Sequence, residues 1–180
     1  MRNNFDLTGK VVLITGGSGL MGRAHAEAVA EFGAIPVIGD IDLDPAAEIL
    51  ENIHNNTGVK GDFVELDVTS SNSITAALEE LTNVYERIDV LINNAALNPS
   101  VSNKSDDSTE WSRFEDFSTD VWNRDLEVGL TGAFLCSQIF GNHMKKNKDG
   151  VIINIASDLA LIAPDQRIYR IEGLSEDMQP

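Results

Sequence analysis

The sequence predicts a three-layer α/β fold in which helices cover both faces of a doubly wound parallel sheet. Short runs of β-branched and other apolar residues alternate along the chain with amphipathic stretches of helical period. The runs themselves are continuously apolar, as strands buried on both faces must be. With 180 residues the chain is long enough to bury a core without disulfides or a structural metal. Residues 1–180 are therefore expected to form a single domain.

The predicted elements follow this alternation in order. The strands are expected at residues 10–15, 35–40, 63–67, 88–93 and 150–155. The helices are expected at residues 20–32, 45–55, 71–85 and 121–146. Gly33 is placed to end the first helix and Asp44 to cap the second. Gly129 and Gly132 are expected to interrupt the last helix, because glycine lowers helix stability.

Two stretches are predicted to be irregular. Residues 97–119 lose apolar density and gather Asn, Ser, Asp and Glu, which predicts a long loop of the kind that is functional or mobile. Trp111 is expected either to line a substrate pocket in this loop or to anchor it. Residues 158–180, which contain Pro164, are predicted to be a loop-like tail.

The charge balance excludes some classes of partner. There are 13 Lys and Arg residues against 29 Asp and Glu, a net charge of −16, which repels nucleic-acid phosphates and anionic lipids. The sequence has no signal-peptide pattern and no apolar stretch of about 18 residues. We therefore expect a cytoplasmic protein with neither nucleic acid nor membrane as a partner. Cys136 has no partner for an internal disulfide, and His25, His54 and His143 fall in different helices, so no metal site is predicted.

A glycine-rich turn lies directly between the first strand and the first helix. It reads Thr15-Gly16-Gly17-Ser18-Gly19-Leu20-Met21-Gly22. Glycines in such a turn let the backbone approach a pyrophosphate, and the helix N-terminus supplies free N–H groups. Plain turn chemistry is the alternative, but the strand and the helix on either side favour dinucleotide binding. Because no Lys-Ser or Lys-Thr pair follows the glycines, a triphosphate-binding P-loop is disfavoured.

Asp40 ends the second strand, 18 residues after Gly22. A carboxylate there can accept hydrogen bonds from both hydroxyl groups of an adenosine ribose and repels a 2′-phosphate, so NAD is predicted rather than NADP. Ile41 follows in the same turn, which lacks the basic residues that NADP requires. The alternative is that Asp40 or Asp42 merely caps a turn.

These motifs resemble the short-chain dehydrogenase/reductase family, whose members have a Rossmann fold, and the resemblance covers essentially the whole chain. Asp67-Val68 is similar to the family's adenine-contacting pair, and Asn93-Asn94-Ala95-Ala96 to the turn beside the cofactor. The glycine spacing is closer to the family's extended branch than to its classical branch, since Leu20 replaces a glycine. The resemblance implies that NAD is bound by Gly16, Ser18, Gly19, Leu20, Met21, Gly22, Asp40, Ile41, Asp67, Val68, Asn94, Ala95 and Ala96.

The resemblance also implies hydride transfer between NAD(H) and a secondary alcohol or ketone. Ser157 matches the family serine that hydrogen-bonds the substrate oxygen, although it is also an ordinary turn former. The family's acid–base Tyr has a Lys four residues later that lowers its pKa. Tyr169 is the candidate Tyr, but Gly173 stands in place of the Lys and no Lys follows Lys148. We favour a polar loop around Tyr169, with the true pair beyond Pro180, and expect this 180-residue chain to be inactive.

Three functions stay open. The leading one is an oxidoreductase for a small sugar-derived or glycan precursor, because the long loops resemble flagellin-modification oxidoreductases. Gly129 stands where the family has the Asn that holds a relay water, which supports a non-catalytic nucleotide-binding protein. The glycine spacing supports an extended-branch sugar-nucleotide epimerase or dehydratase, which the Asn-Asn-Ala turn opposes.

The resemblance further implies a homo-oligomer, a dimer or tetramer, when the chain is complete. The family pairs through two long helices, of which this chain has the first. Its apolar face, with Phe134, Ile139 and Phe140, is expected to be partly uncovered in this chain.

Overall fold

The computed structural model describes residues 5–97, 115, 117–162, 165–170, 172, 173 and 175, with the backbone alone at residues 160, 166 and 169. Among these residues the strands are β1 Val11–Thr15, β2 Ile35–Asp40, β3 Asp62–Glu65, β4 Val90–Asn93 and β5 Val151–Asn154. The α-helices are α1 Leu20–Glu31, α2 Ala46–Thr57, α3 Ser71–Tyr85, α4 Thr119–Leu126 and α5 Ala133–Asn147. A π-helical segment joins α4 to α5, and two short 3₁₀ helices follow β5; their ranges are Glu127–Gly132, Asp158–Ala160 and Gln166–Tyr169.

The strands form one parallel sheet in the order β3-β2-β1-β4-β5. Val12 of β1 pairs with Pro36 of β2 on one side and with Val90 of β4 on the other. The chain thus winds outward from β1 to β3 in one direction and from β4 to β5 in the other. The direction of winding therefore reverses between β1 and β4. A ligand crevice typically opens at such a reversal, beyond the carboxyl ends of the strands. The predicted doubly wound fold is confirmed.

Two apolar cores lie on opposite faces of the sheet. Leu13 and Leu91 belong to the core that includes α3 and α5, while Ile14 and Ile92 belong to the core that includes α1 and α2. Because successive residues of a strand face opposite sides, a strand between two cores must be apolar at each position. Burying each such side chain contributes about 1.5–3 kcal/mol. The helices on both faces complete the three expected layers.

Some boundaries differ from the predicted ones. β3 ends at residue 65 rather than 67, so the segment that follows it leaves the sheet earlier. The prediction that Asp44 caps α2 is wrong, since α2 begins at Ala46 without a side-chain cap. The Asp44 N–H instead donates to Asp42 Oδ1 at 3.1 Å. Asp44 is therefore held by its backbone within the turn that precedes α2.

The predicted interruption of the last helix is the π-helical segment. A Cβ on Gly132 would lie 2.8 Å from Val68 Cγ2, so glycine permits this close approach. α4 begins at Thr119, where the hydroxyl of Ser118 accepts from Asp120 N at 3.2 Å. Most of the loop predicted at 97–119, including Trp111, lies outside the described residues.

The covering of α5 differs in part from the expectation. Phe134 is 60% exposed, as expected for an uncovered face. Phe140, however, is fully buried in the core with α3 and the sheet, so its predicted exposure is wrong. Ile139 packs against that core and is partly buried. In the described part of the chain, no helix combines the length and apolarity needed to cross a membrane.

Candidate functional site

A cleft of about 990 Å³ opens beyond the carboxyl ends of β1, β2 and β4. Its size suits a large cofactor. Every residue predicted to bind NAD lines this cleft: Gly16, Ser18, Gly19, Leu20, Met21, Gly22, Asp40, Ile41, Asp67, Val68, Asn94, Ala95 and Ala96. The fold therefore brings together segments that lie as far apart as β1 and β4 in the sequence.

The glycine turn forms one wall of the cleft, and its backbone is closely packed against neighbouring backbone. Gly16 has a φ of +62°, and a Cβ there would lie 2.9 Å from Ala95 Cα. A Cβ on Gly22 would lie 2.2 Å from the Gly16 oxygen. α1 begins here with no side-chain cap and no acidic residue in its first turn. Its first N–H groups and the positive end of its dipole therefore suit an anion such as a pyrophosphate.

Thr15 fastens the glycine turn to the end of β4. Its hydroxyl oxygen accepts hydrogen bonds from the N–H groups of Asn94 and Ala95, both at 3.0 Å. The Asn94 amide donates in return to the carbonyl oxygens of Thr15 and Gly16, at 3.0 and 3.1 Å. Asn94 thus shapes the cleft by holding its two walls together. Sequence reasoning assigned Thr15 no role, because its partners lie almost eighty residues away.

Asp40 lies at the lip of the cleft with both carboxylate oxygens engaged. Oδ2 accepts from the Ser18 N–H at 2.9 Å, and Oδ1 accepts from the Asp42 N–H at 3.1 Å. Asp40 therefore holds a turn, as the alternative interpretation of the sequence predicts, and it also lines the cleft. Each carboxylate oxygen can accept more than one hydrogen bond, so both roles are compatible.

Asp67 lies across the cleft with one oxygen engaged. Its Oδ1 accepts from the N–H and the hydroxyl of Thr69, at 2.9 and 2.7 Å. Its N–H donates to Ser73 Oγ at 2.9 Å, which joins this turn to α3. Among the described residues, none donates to Oδ2 of Asp67, so that oxygen is available to an amino group such as that of adenine. Val68 follows and is packed against Gly132.

α4 forms a wall of the cleft that the sequence did not identify. It contributes Asp120, Asn123 and Arg124, and Glu127 and Val128 follow in the π-helical segment. In the described part of the chain the lining of the cleft has one cation, Arg124, and five carboxylates, which belong to Asp40, Asp42, Asp67, Asp120 and Glu127. At the glycine turn, the groups that the described residues offer to an anion are backbone N–H groups rather than basic side chains.

Asn93 holds β5 beside β4. The two strands pair Asn93 with Asn154 in register, and the Asn93 amide donates to Asn154 Oδ1 at 2.8 Å and to Ser137 Oγ at 2.9 Å. Asn93 Oδ1 is buried and has no hydrogen-bond donor among the described residues. This anchorage brings Ile155, just beyond β5, to the rim of the cleft.

The two predicted catalytic residues follow β5. Ser157 is exposed and is not among the residues that line the cleft. Its hydroxyl oxygen accepts from Leu159 N at 3.1 Å, and the hydroxyl donates to Asp158 Oδ1 at 3.3 Å, so it caps a short 3₁₀ helix. Tyr169 ends the second 3₁₀ helix, and its side chain lies outside the described residues. Both catalytic assignments stay predictions.

A doubly wound parallel sheet with a glycine turn at its reversal is typical of α/β proteins that bind dinucleotides. The comparison with protein families is more specific, since the model of short chain dehydrogenases matches residues 10–168. The chain belongs to this oxidoreductase family.

Individual relatives support the assignment. The chain is 37% identical over 151 residues to the 3-oxoacyl-[acyl-carrier-protein] reductase FabG of Aquifex aeolicus, covering 84% of this chain and 56% of that protein. It is 30% identical over 165 residues to an NAD-dependent glycerol dehydrogenase of Listeria innocua, covering 92% and 59%. The crystal structure of NAD⁺-bound xylitol dehydrogenase matches with a TM-score of 0.76 and 26% identity, covering 88% and 56%. The chain thus spans little more than half the length of these relatives.

Proposed function

We propose that the chain forms the NAD(H)-binding part of an oxidoreductase that interconverts a secondary alcohol and a ketone. The observation that carries the proposal is the Asp40 carboxylate, fixed at the lip of the cleft by the N–H groups of Ser18 and Asp42. This carboxylate can accept hydrogen bonds from both ribose hydroxyl groups. A 2′-phosphate would meet the negative charges of Asp40 and Asp42, and the turn after β2 offers it no basic residue, since the sequence has no Lys or Arg between Arg23 and Lys60.

The rest of the cleft fits the same cofactor. The uncapped start of α1 offers N–H groups and a favourable dipole to a pyrophosphate. Asp67 Oδ2 can accept from an adenine amino group, and Val68 supplies an apolar contact. Bound NAD(H) would supply the hydride donor or acceptor. On the substrate side we propose that Ser157 redirects its hydroxyl from Asp158 to the substrate oxygen, and that Tyr169 belongs to a polar loop.

For the substrate we propose a small sugar-derived or glycan-precursor alcohol. Two similar proteins support this proposal, because a glycerol dehydrogenase and a xylitol dehydrogenase are each named for a polyol. FabG, at higher identity, is named for an acyl-carrier substrate, so the family alone does not select a polyol. We also propose a cytoplasmic location, where NAD(H) is available, and a dimer or tetramer as the assembly of the complete protein.

Calorimetric titration of the chain with NADH and with NADPH tests the proposed preference for NADH. We expect NADH to bind at least about tenfold more tightly than NADPH. The reason is that the ribose hydroxyl groups of NADH can donate charge-assisted hydrogen bonds to Asp40, each worth about 1.5–3 kcal/mol. Asp40→Asn should weaken NADH binding and reduce the ratio of the affinity for NADH to the affinity for NADPH. Asp44→Asn is the matched control, since it removes the same charge from the same turn at a residue that does not line the cleft. Equal affinities of the unaltered chain for the two cofactors would refute the assignment.

A non-catalytic nucleotide-binding protein is the second candidate. The observation that favours it is Gly129, which has no side chain where the family's relay Asn is expected. Among the described residues beyond its own helix backbone, no atom lies within 4 Å of a Cβ added there. Gly173, four residues after Tyr169, adds to it. Reading the coding sequence beyond Pro180 separates the two. A Tyr-x-x-x-Lys segment, with turnover of a polyol by the corresponding protein, supports the enzyme, whereas NADH binding without such a segment or turnover supports the second candidate.

A further inference from the structure

Ser18 connects the glycine turn to the turn that follows β2. We propose that Ser18 is a positioning residue, which orders the Asp40 carboxylate for the ribose hydroxyl groups and thereby sets the preference for NADH over NADPH. The inference rests on the proposed function, because it takes the cleft to be an NAD(H) site.

Hydrogen bonds among three residues form a closed ring at the lip of the cleft. The Ser18 N–H donates to Asp40 Oδ2 at 2.9 Å, and the Ser18 hydroxyl donates to the carbonyl oxygen of Asp42 at 2.7 Å. The Asp42 N–H then donates to Asp40 Oδ1 at 3.1 Å. Ser18 therefore holds one carboxylate oxygen directly and the other through Asp42.

A substitution can remove the Ser18 hydroxyl while the backbone and the Asp40 carboxylate of this ring stay in place. Asp42 is exposed, and its own carboxylate accepts from the Asp44 N–H at 3.1 Å within the turn. The hydroxyl thus ties Asp42 to the glycine turn, across 24 residues of sequence. Without it, the Asp42 N–H is less firmly placed and the Asp40 carboxylate gains freedom to rotate.

Order in the carboxylate affects the two cofactors differently. A fixed carboxylate loses little entropy when it accepts the two ribose hydroxyl groups, so it favours NADH. The same fixed carboxylate cannot turn away from a 2′-phosphate, so it opposes NADPH. Loosening the ring should therefore weaken NADH binding and leave NADPH binding unchanged or slightly stronger. A general loss of structure would instead weaken both cofactors together.

Four chains test the inference by titration with NADH and with NADPH: the unaltered chain, Ser18→Ala, Ser18→Thr and Thr75→Val. Ser18→Ala removes the hydroxyl, and Ser18→Thr restores it. Thr75→Val is the matched control, because the exposed Thr75 hydroxyl also donates to a backbone carbonyl at 2.7 Å, that of Ser71, but lies away from the cleft. Thermal unfolding of all four chains reports any general loss of stability.

We expect Ser18→Ala to weaken NADH binding about three- to tenfold, the worth of one hydrogen bond, and to narrow the NADH preference by a similar factor. Ser18→Thr should recover most of the preference, and Thr75→Val should retain it. An unchanged preference in Ser18→Ala overturns this inference while the proposed function stands. If the unaltered chain binds no NADH, the proposed function fails and the inference fails with it.

Discussion

Individual glycines determine how closely the walls of the cleft approach each other. Gly22 lies in the first turn of α1, directly over the backbone of the glycine turn. A Cβ there would lie 2.2 Å from the Gly16 oxygen and 2.6 Å from Gly17 Cα, which are both backbone atoms. Backbone atoms cannot rotate away as the end of a flexible side chain can, so any side chain at Gly22 must push the turn and the helix apart.

Gly22→Ala should therefore abolish NADH binding and lower the free energy of unfolding by about 1–3 kcal/mol, the usual cost of overpacking. Gly129→Ala is the comparison, because no described residue beyond its own helix lies within 4 Å of a Cβ added at Gly129. Alanine there should be neutral or raise stability by up to about 1 kcal/mol. Urea unfolding and NADH titration of both variants measure the effects, and tight NADH binding by Gly22→Ala would contradict the packing argument.

At the scale of elements, Asp89 joins three strands at the end of the sheet opposite the cleft. It is 5% exposed, and its Oδ2 accepts from Val11 N at 2.9 Å at the start of β1. Its carbonyl oxygen accepts from Val151 N at 2.9 Å at the start of β5. Lys10 Nζ lies 3.1 Å from Oδ1, and the Arg87 guanidinium donates to the same oxygen. Asp89 therefore sets the relative placement of β1, β4 and β5.

Asp89→Asn should lower the free energy of unfolding by about 3 kcal/mol, because a buried group that two cations face would lose its charge. Asp149→Asn is the matched control. Asp149 contacts the same Lys10 and Arg87, but its side chain is 63% exposed. Its loss should cost no more than about 1 kcal/mol. Equal effects of the two substitutions, measured by urea unfolding at neutral pH, would show that burial of Asp89 is unimportant.

The Asp89 carboxylate stabilises the fold more at neutral pH than at low pH. Burial raises the pKa of Asp89, but the hydrogen bonds from Val11, Arg87 and Lys10 outweigh it and hold the pKa below its ordinary value. A carboxyl whose pKa is lower in the folded state stabilises the fold above its unfolded pKa of about 3.9, and that stability is lost as the pH falls through the folded pKa. The stability gap between the unaltered chain and Asp89→Asn should therefore be full at neutral pH and shrink below about pH 4.

At the scale of the whole molecule, β5 is an exposed apolar edge of the sheet. Val151, Ile152 and Ile153 are 53%, 37% and 43% exposed, so both faces of the strand meet solvent. Phe134 of α5 is also exposed. In the described part of the chain no strand pairs with the outer side of β5. Such an apolar edge strand is a template for pairing with other chains, which the net charge of −16 opposes at low salt.

We expect the chain to self-associate as the salt concentration rises, since salt screens that repulsion. Ile153→Lys should reduce both self-association and the binding of a fluorescent apolar dye. Val84→Lys is the control, because Val84 is 62% exposed on α3 and lies away from the edge strand. Light scattering at several salt concentrations measures the effect. A monomeric unaltered chain at high salt would contradict this expectation.

Much of the fold and of the candidate cleft was predictable, because the signals are local. Strand and helix periods extend over a few residues, and the glycine turn and Asp40 lie at the ends of strands that those periods locate. Ser18 was predicted to contact the cofactor, but its hydrogen bonds to the turn beyond β2 were not predicted. The residues of α4 were missed because nothing in their local pattern shows which way the helix faces. Phe140 was expected to lie on a partly uncovered face. That expectation is wrong, because α3 packs over Phe140.

The sequence by itself determined the α/β fold class, the family and those cleft residues that belong to the glycine turn and to the turns after β2, β3 and β4. These follow from periodicity and from motifs whose members are close together in the chain. The tertiary structure decided that Thr15 and Asn94 fasten the two walls, that Ser18 holds the Asp40 turn, that Asp89 joins three strands and that Ser157 caps a short helix instead of lining the cleft. The first three depend on contacts between residues tens of positions apart, which form only when the sheet assembles. The place of Ser157 relative to the cleft likewise depends on how β5 joins the sheet.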